Sequence, residues 1–156
     1  MLGVVTAGVV GVLPVQLVRA GSGSMAPTVP AHALLVVDHR DSPVGRRDVV
    51  TVSAAVTGVE MVKRVVAVAG ETVAVEDGRL VVDGRAVCER DVDPGHEDGV
   101  WFGPVTVPAG SVFLLGDDRA SSVDSREFGA VPRTEVTGRV LLRAWPDPGV
   151  VDDGLC

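Results

Sequence analysis

The chain has 156 residues and a mass of 16.1 kDa, enough for one domain with its own core and too few for two. A formal charge of −7 with no basic run excludes a surface built for nucleic acid. Valine is the commonest residue and convincing helical stretches are few, so a mainly β fold is expected.

Residues 1 to 18, MLGVVTAGVVGVLPVQLV, carry no charged side chain and fall just short of the ~20 residues that span a bilayer. They read first as an N-terminal membrane anchor. Pro14 and Gln16 predict that the apolar run stops at Leu13 and that VQLV is already a strand. A cleaved signal peptide is a rival, although the positive leading region of such peptides is missing. A buried first strand is the third reading.

RAGSGSMAPTVPAH comes next as loop or turn. ALLVVD and DVVTVSAAV read as strands separated by a turn, and GVEMVKRVVAVAG as another strand ending at Gly70. Asp77-Gly78 and Asp83-Gly84 sit between alternating apolar residues and predict two hairpin turns. CERDVDPGHEDG is an acidic excursion outside the core. VTVPAGSVFLLGDD and GRVLLRAWP return to strand pattern, with a long loop or short helix between them, and the DPGVVDDGLC tail is expected to fray.

Cys88 and Cys156 are the only thiols and leave the redox compartment open. His32, His39 and His96 lack the spacing of a zinc helix, so no metal is expected. Asp38 beside His39 could begin a Ser-His-Asp argument, but adjacency in sequence is not the geometry of that triad.

Thirteen of the fourteen basic residues are arginine, and the one lysine is Lys63 in EMVKRVVAV. On a strand, Met61, Lys63, Val65 and Ala67 share one face and Val62, Arg64 and Val66 the other. An amine among apolar neighbours can titrate well below the ~10.4 of a free lysine and act as a base, whereas a guanidinium cannot. The ordinary alternative is a lysine reaching water from a strand edge.

GSGSMAPT, residues 21 to 28, presents serines on a turn whose glycines leave backbone N–H groups open, with Pro27 stiffening the end of the motif. Alone, Gly-Ser-Gly-Ser is more often a linker. LLGDDRASSVDSREFGAV, residues 114 to 131, packs Asp117, Arg119, Ser122, Asp124 and Arg126 into one loop, where acids and arginines can cross-pair.

In this order the three segments resemble the serine, lysine and third boxes of the bacterial type I signal peptidases, membrane-bound serine proteases with a Ser-Lys dyad; the similarity runs from residue 15 to about 145. The resemblance implies a signal-peptidase-like fold of coiled antiparallel β-sheets. It implies Ser24 as nucleophile, Lys63 as general base, Ser22 with the Ser24 N–H as oxyanion hole, and Ser122 as the residue orienting the lysine. Arg64, Asp117, Asp124 and Arg126 match supporting residues joined by ion pairs. No cofactor is implied.

The implied division is an anchor at 1–18, a catalytic β domain at 19–147 with a small insertion near 86–104, and a tail at 148–156. The implied activity is removal of signal peptides from exported preproteins, with the enzyme single-pass in the cell membrane, its catalytic domain on the extracytoplasmic side and in contact with lipid. Alternatives are a family member dedicated to one partner protein, a Ser-Lys self-cleaving repressor, and a non-catalytic β-barrel binding module. Asp118 stands where the third box usually has Asn, Ala67 and Ala69 replace Gly and Pro after the lysine, and His32-Ala33 replaces a Gly-Asp pair.

Overall fold

The computed structural model describes residues 14–90, 92 and 100–151. In chain order the strands are β1 (Val15–Arg19), β2 (Leu34–Asp38), β3 (Val49–Val52), β4 (Met61–Val68), β5 (Thr72–Glu76), β6 (Arg79–Val82), β7 (Arg85–Ala86), β8 (Phe102–Thr106), β9 (Ser111–Leu115), β10 (Val131–Pro132), β11 (Val136–Trp145) and β12 (Gly149–Val150). Two single-turn α-helices, α1 (Ala54–Thr57) and α2 (Ser125–Phe128), and a 3-10 turn at Arg133–Glu135 interrupt them.

The strands form two antiparallel sheets. The larger runs β1-β2-β11-β3-β4-β9-β10 with β12 paired to β11, and the smaller runs β7-β6-β5-β8. Register shifts in β4, β5 and β11 bend the strands and let the sheets coil. Three apolar clusters fill the layers: one under β1, β2 and the serine turn, one between the two sheets around Phe113 and Leu80, and one around Val65 and Leu114.

Both Asp-Gly signals make the hairpins expected of them. Glu76 pairs with Arg79 and Val82 with Arg85 across the two turns, and Asp77, Gly78, Asp83 and Gly84 all take positive φ between 50° and 76°. That is the two-residue turn whose twist matches its strands.

The expected strand DVVTVSAAV ends early, at Val52. Ser53 accepts a hydrogen bond from the Ala55 N–H, at 3.1 Å, and caps α1, which Gly58 ends at a φ of 87°. The tail is not frayed throughout, because Gly149 and Val150 pair with β11 and Val151 packs on the first cluster. β1 is a strand, as VQLV predicts, and most of the expected anchor, residues 1–13, lies outside the described residues. Among the described residues no helix is long and apolar enough to cross a membrane. Cys88 is disulfide-bonded.

The strict alternation expected along β4 holds only to Val65. A register shift between Val65 and Ala67 turns Ala67 and Val66 into the same apolar cluster. Because β4 lies between β3 and β9 and is covered on both faces, Lys63 and Arg64 are each only 3% exposed although they point to opposite sides.

Candidate active site

The GSGS segment is a rigid turn between β1 and β2. Met25 and Val29 form an isolated bridge and are buried, the Ala26 N–H donates to the Gly23 carbonyl at 2.8 Å, and the Asp118 N–H donates to the Ser24 carbonyl at 3.1 Å. Two buried apolar anchors and a tie to the third segment hold Ser24 in one place, which rules out a flexible linker. His32, at the position where the family pattern has glycine, takes a φ of 66° and closes this turn with an N–H to Ala20 O bond.

β4 delivers the Lys63 amine from the sheet interior. Its Nζ lies 2.9 Å from Ser24 Oγ and 3.0 Å from Ser122 Oγ. Burial pushes the Lys63 amine below the ordinary lysine value, and the nearby Asp124, Glu127 and Asp117 carboxylates oppose it only partly. Two hydroxyls are its hydrogen-bond partners among the described residues. A neutral amine there has its lone pair free for a serine proton.

Ser22 stands beside Ser24, with 3.4 Å between the hydroxyl oxygens. Ser122 is carried by a loop fixed at both ends. Its N–H donates to Asp118 O at 3.0 Å, and Asp124 caps α2 in a capping box with Glu127 while taking the Gly116 N–H at 3.1 Å.

The four expected supporting residues form two ion pairs. Arg64 reaches both oxygens of Asp117, at 2.8 and 2.7 Å, and Arg126 both oxygens of Asp124, at 2.9 and 3.0 Å. Such planar two-point contacts fix geometry as well as charge. Thr28, unremarked in the sequence although it closes the MAPT motif, donates to Asp117 at 2.6 Å and links the serine turn to this pair. Arg119 pairs with Glu89, which the sequence places in an acidic excursion with nothing to mark it.

A cleft of about 670 Å³ opens over Ser24 and Lys63, walled by Val18, Ala20, Met25, Val29 and Val62. Gly116 forms the tightest point behind it. A Cβ there would collide with Ser122 and the backbone carbonyl of Ser24. Gly116→Ala is therefore expected to lower kcat/KM by about a hundredfold by pushing the two serines apart, measured on a cleavable peptide; an unchanged rate would show that the loop yields freely.

Among the described residues no group of three or more His, Cys, Asp or Glu could hold a metal. Coiled antiparallel sheets that bring a serine hydroxyl onto a buried amine at the floor of an apolar cleft have the architecture of the β-rich serine peptidases. A family model described as signal peptidase, peptidase S26, matches residues 1–145. The chain belongs to that family.

Signal peptidase I of Leptolyngbya laminosa is 34% identical over 136 residues, which cover 80% of this chain and 66% of that one. Signal peptidase I of Bacillus caldolyticus is 36% identical over 137 residues, 79% of this chain and 75% of that one. A crystal structure of a signal peptidase I from Enterococcus faecalis V583 superposes with a TM-score of 0.54 at 29% identity, covering 64% of this chain and 98% of that chain. The chain thus spans just under two thirds of the length of the first relative.

Proposed function

We propose that this protein is a membrane-associated serine endopeptidase that removes signal peptides from exported preproteins, with Ser24 as nucleophile and Lys63 as general base. The observation that carries the reading is the 2.9 Å contact between Ser24 Oγ and a buried amine. Neutral Lys63 takes the Ser24 proton as the hydroxyl attacks the scissile carbonyl, and Ser22 Oγ with the Ser24 N–H faces the developing oxyanion. Lys63 then passes its proton to the departing amine. A water activated by Lys63 releases the acyl group, while Ser122 keeps the amine aimed throughout.

The apolar walls of the cleft fit small side chains of an extended substrate segment. Residues 19–147 are the catalytic part in this reading. Contact with lipid is supported by the sheet wing that β1 edges, and the extracytoplasmic side is proposed from the family resemblance alone. Leu17, Val36, Leu142 and Val150 stand in one cross-strand row, and Leu17, Trp145 and Val150 are 67%, 56% and 82% exposed. The apolar 1–18 segment runs into β1 at this same wing, which suits a single-pass anchor. An apolar face of this kind favours contact with a bilayer over water.

Covalent labelling of Ser24 by an acylating inhibitor, cleavage of a peptide with alanine at the first and third residues before the cut, and retention in the membrane fraction after a carbonate wash test the reading. No labelling and no cleavage would favour a non-catalytic binding module. The pH dependence is set by the lowered Lys63 value. Below it the amine is protonated and cannot accept, so kcat/KM is expected to fall tenfold per pH unit on the acid side and level off above it. A profile flat from about pH 5 to 9 would contradict the assignment of the base.

A further inference from the structure

We propose that Glu89, on the segment leaving the small sheet, is a positioning residue that acts through Arg119 to hold the loop aiming Ser122 at Lys63. The inference rests on the reading of Ser24 and Lys63 as the reacting pair. Glu89 and Arg119 have side chains only 9% and 2% exposed, and a Glu89 oxygen accepts a hydrogen bond from Arg119 Nη2. Among the described residues Glu89 is the one carboxylate paired with this guanidinium, and none of them accepts a hydrogen bond from its Nη1.

The rest of Arg119 is wired into the serine-bearing loop. Its Nε donates to the Gly116 carbonyl at 3.0 Å. Its own carbonyl accepts from Arg126 Nη2 at 2.7 Å, and that same nitrogen reaches the Ser122 carbonyl at 3.4 Å. Arg119 therefore braces the entry of the loop and Arg126 its exit, with Ser122 between. On the other side, the Val87 N–H donates to the Leu80 carbonyl at 2.8 Å and β7 pairs with β6, so Glu89 is anchored to the small sheet two residues away. This carboxylate thereby ties the small sheet to the loop that carries Ser122, beside the apolar packing of that sheet on β4 and β9.

Removing that charge leaves a guanidinium desolvated and unpaired, a state that costs several kcal/mol unless the chain moves to hydrate it. The loop from Gly116 to Ser122 is what would move. A shift of a fraction of an ångström is enough, because the Ser122 hydroxyl sits at hydrogen-bond distance from Nζ. The charges that act most on Lys63 are those of Asp124, Glu127, Arg126 and Asp117, and Glu89 is not among them. Replacement of Glu89 reaches the amine through the loop.

The full chain carrying Glu89→Gln is expected to lose about tenfold in kcat with KM changed less than about twofold. In a Ser122→Ala background the same change is expected to add less than about twofold, since the residue it acts through is gone. Lys63 being the only lysine, carbon-13 lysine labelling yields one side-chain signal that reports the amine without any assay of activity. Its titration midpoint is expected to rise toward the ordinary lysine value as water enters around a loosened loop. If Glu89→Gln does not fold, Glu89→Asp, which retracts the carboxylate by one methylene, is expected to show the same two effects in smaller measure. An unmoved midpoint with unchanged kcat overturns the proposal, as does a tenfold loss that persists in the Ser122→Ala background. A wild-type protein that cleaves nothing, but whose lysine midpoint still moves on Glu89→Gln, overturns the peptidase reading and leaves the coupling standing.

Discussion

Lys63→Met is expected to lower kcat/KM on an alanine-bearing signal-peptide substrate by about ten-thousandfold, the scale set by removing the base of a serine peptidase. Methionine matches the length of the lysine stem and leaves the apolar surroundings filled, so the thermal midpoint is expected to hold or rise. It can rise because the substitution deletes an amine kept only 3% exposed and satisfied by two hydroxyls. Arginine in its place would remain charged in the same desolvated position and confuse lost chemistry with lost stability. Cleavage by Lys63→Met within tenfold of the wild-type rate would remove Lys63 from the mechanism.

The largest effect on stability is expected from Asp117→Ala. Asp117 is 1% exposed, takes two hydrogen bonds from Arg64 and one from Thr28, and lies on the face of β4 away from Lys63. Its removal takes the two-point carboxylate contact from the buried Arg64 guanidinium, which keeps its bond to the Arg47 carbonyl, and costs about 3–5 kcal/mol. A domain of this size holds only about 5–15 kcal/mol in total. Urea unfolding tracked by circular dichroism should register the loss as a lower midpoint, and a change under about 1 kcal/mol would class the pair with surface ion pairs. Replacing both partners together, Asp117→Leu with Arg64→Met, is expected to recover most of the loss, because no unpaired charge remains.

These two expectations concern neighbouring residues that a strand pattern separates onto opposite faces. Alternation correctly divides Lys63 from Arg64, but it assigns burial to one face only. That β4 is covered on both sides comes from its place between β3 and β9 with packed layers above and below. The third segment was legible as a cross-paired loop because acids and arginines alternate there, and Asp124 with Glu127 even has the spacing of a capping box. Which acid meets which arginine was not legible. Arg64 takes Asp117, 53 residues away, and Arg119 takes Glu89, 30 residues away.

By itself, the sequence determined what depends on near neighbours: the two Asp-Gly hairpins, the alternating strands, the stiff MAPT turn, and one lysine among arginines with three ordered motifs around it. Backbone propensity and side-chain period act over a few residues and can be read directly from them. The tertiary structure alone decided that Ser24 and Ser122, 39 and 59 residues from Lys63, converge on one nitrogen, and that water is excluded there enough to depress its proton affinity. Distances between segments and the loss of solvent are set by how sheets coil and pack, and no local pattern encodes either.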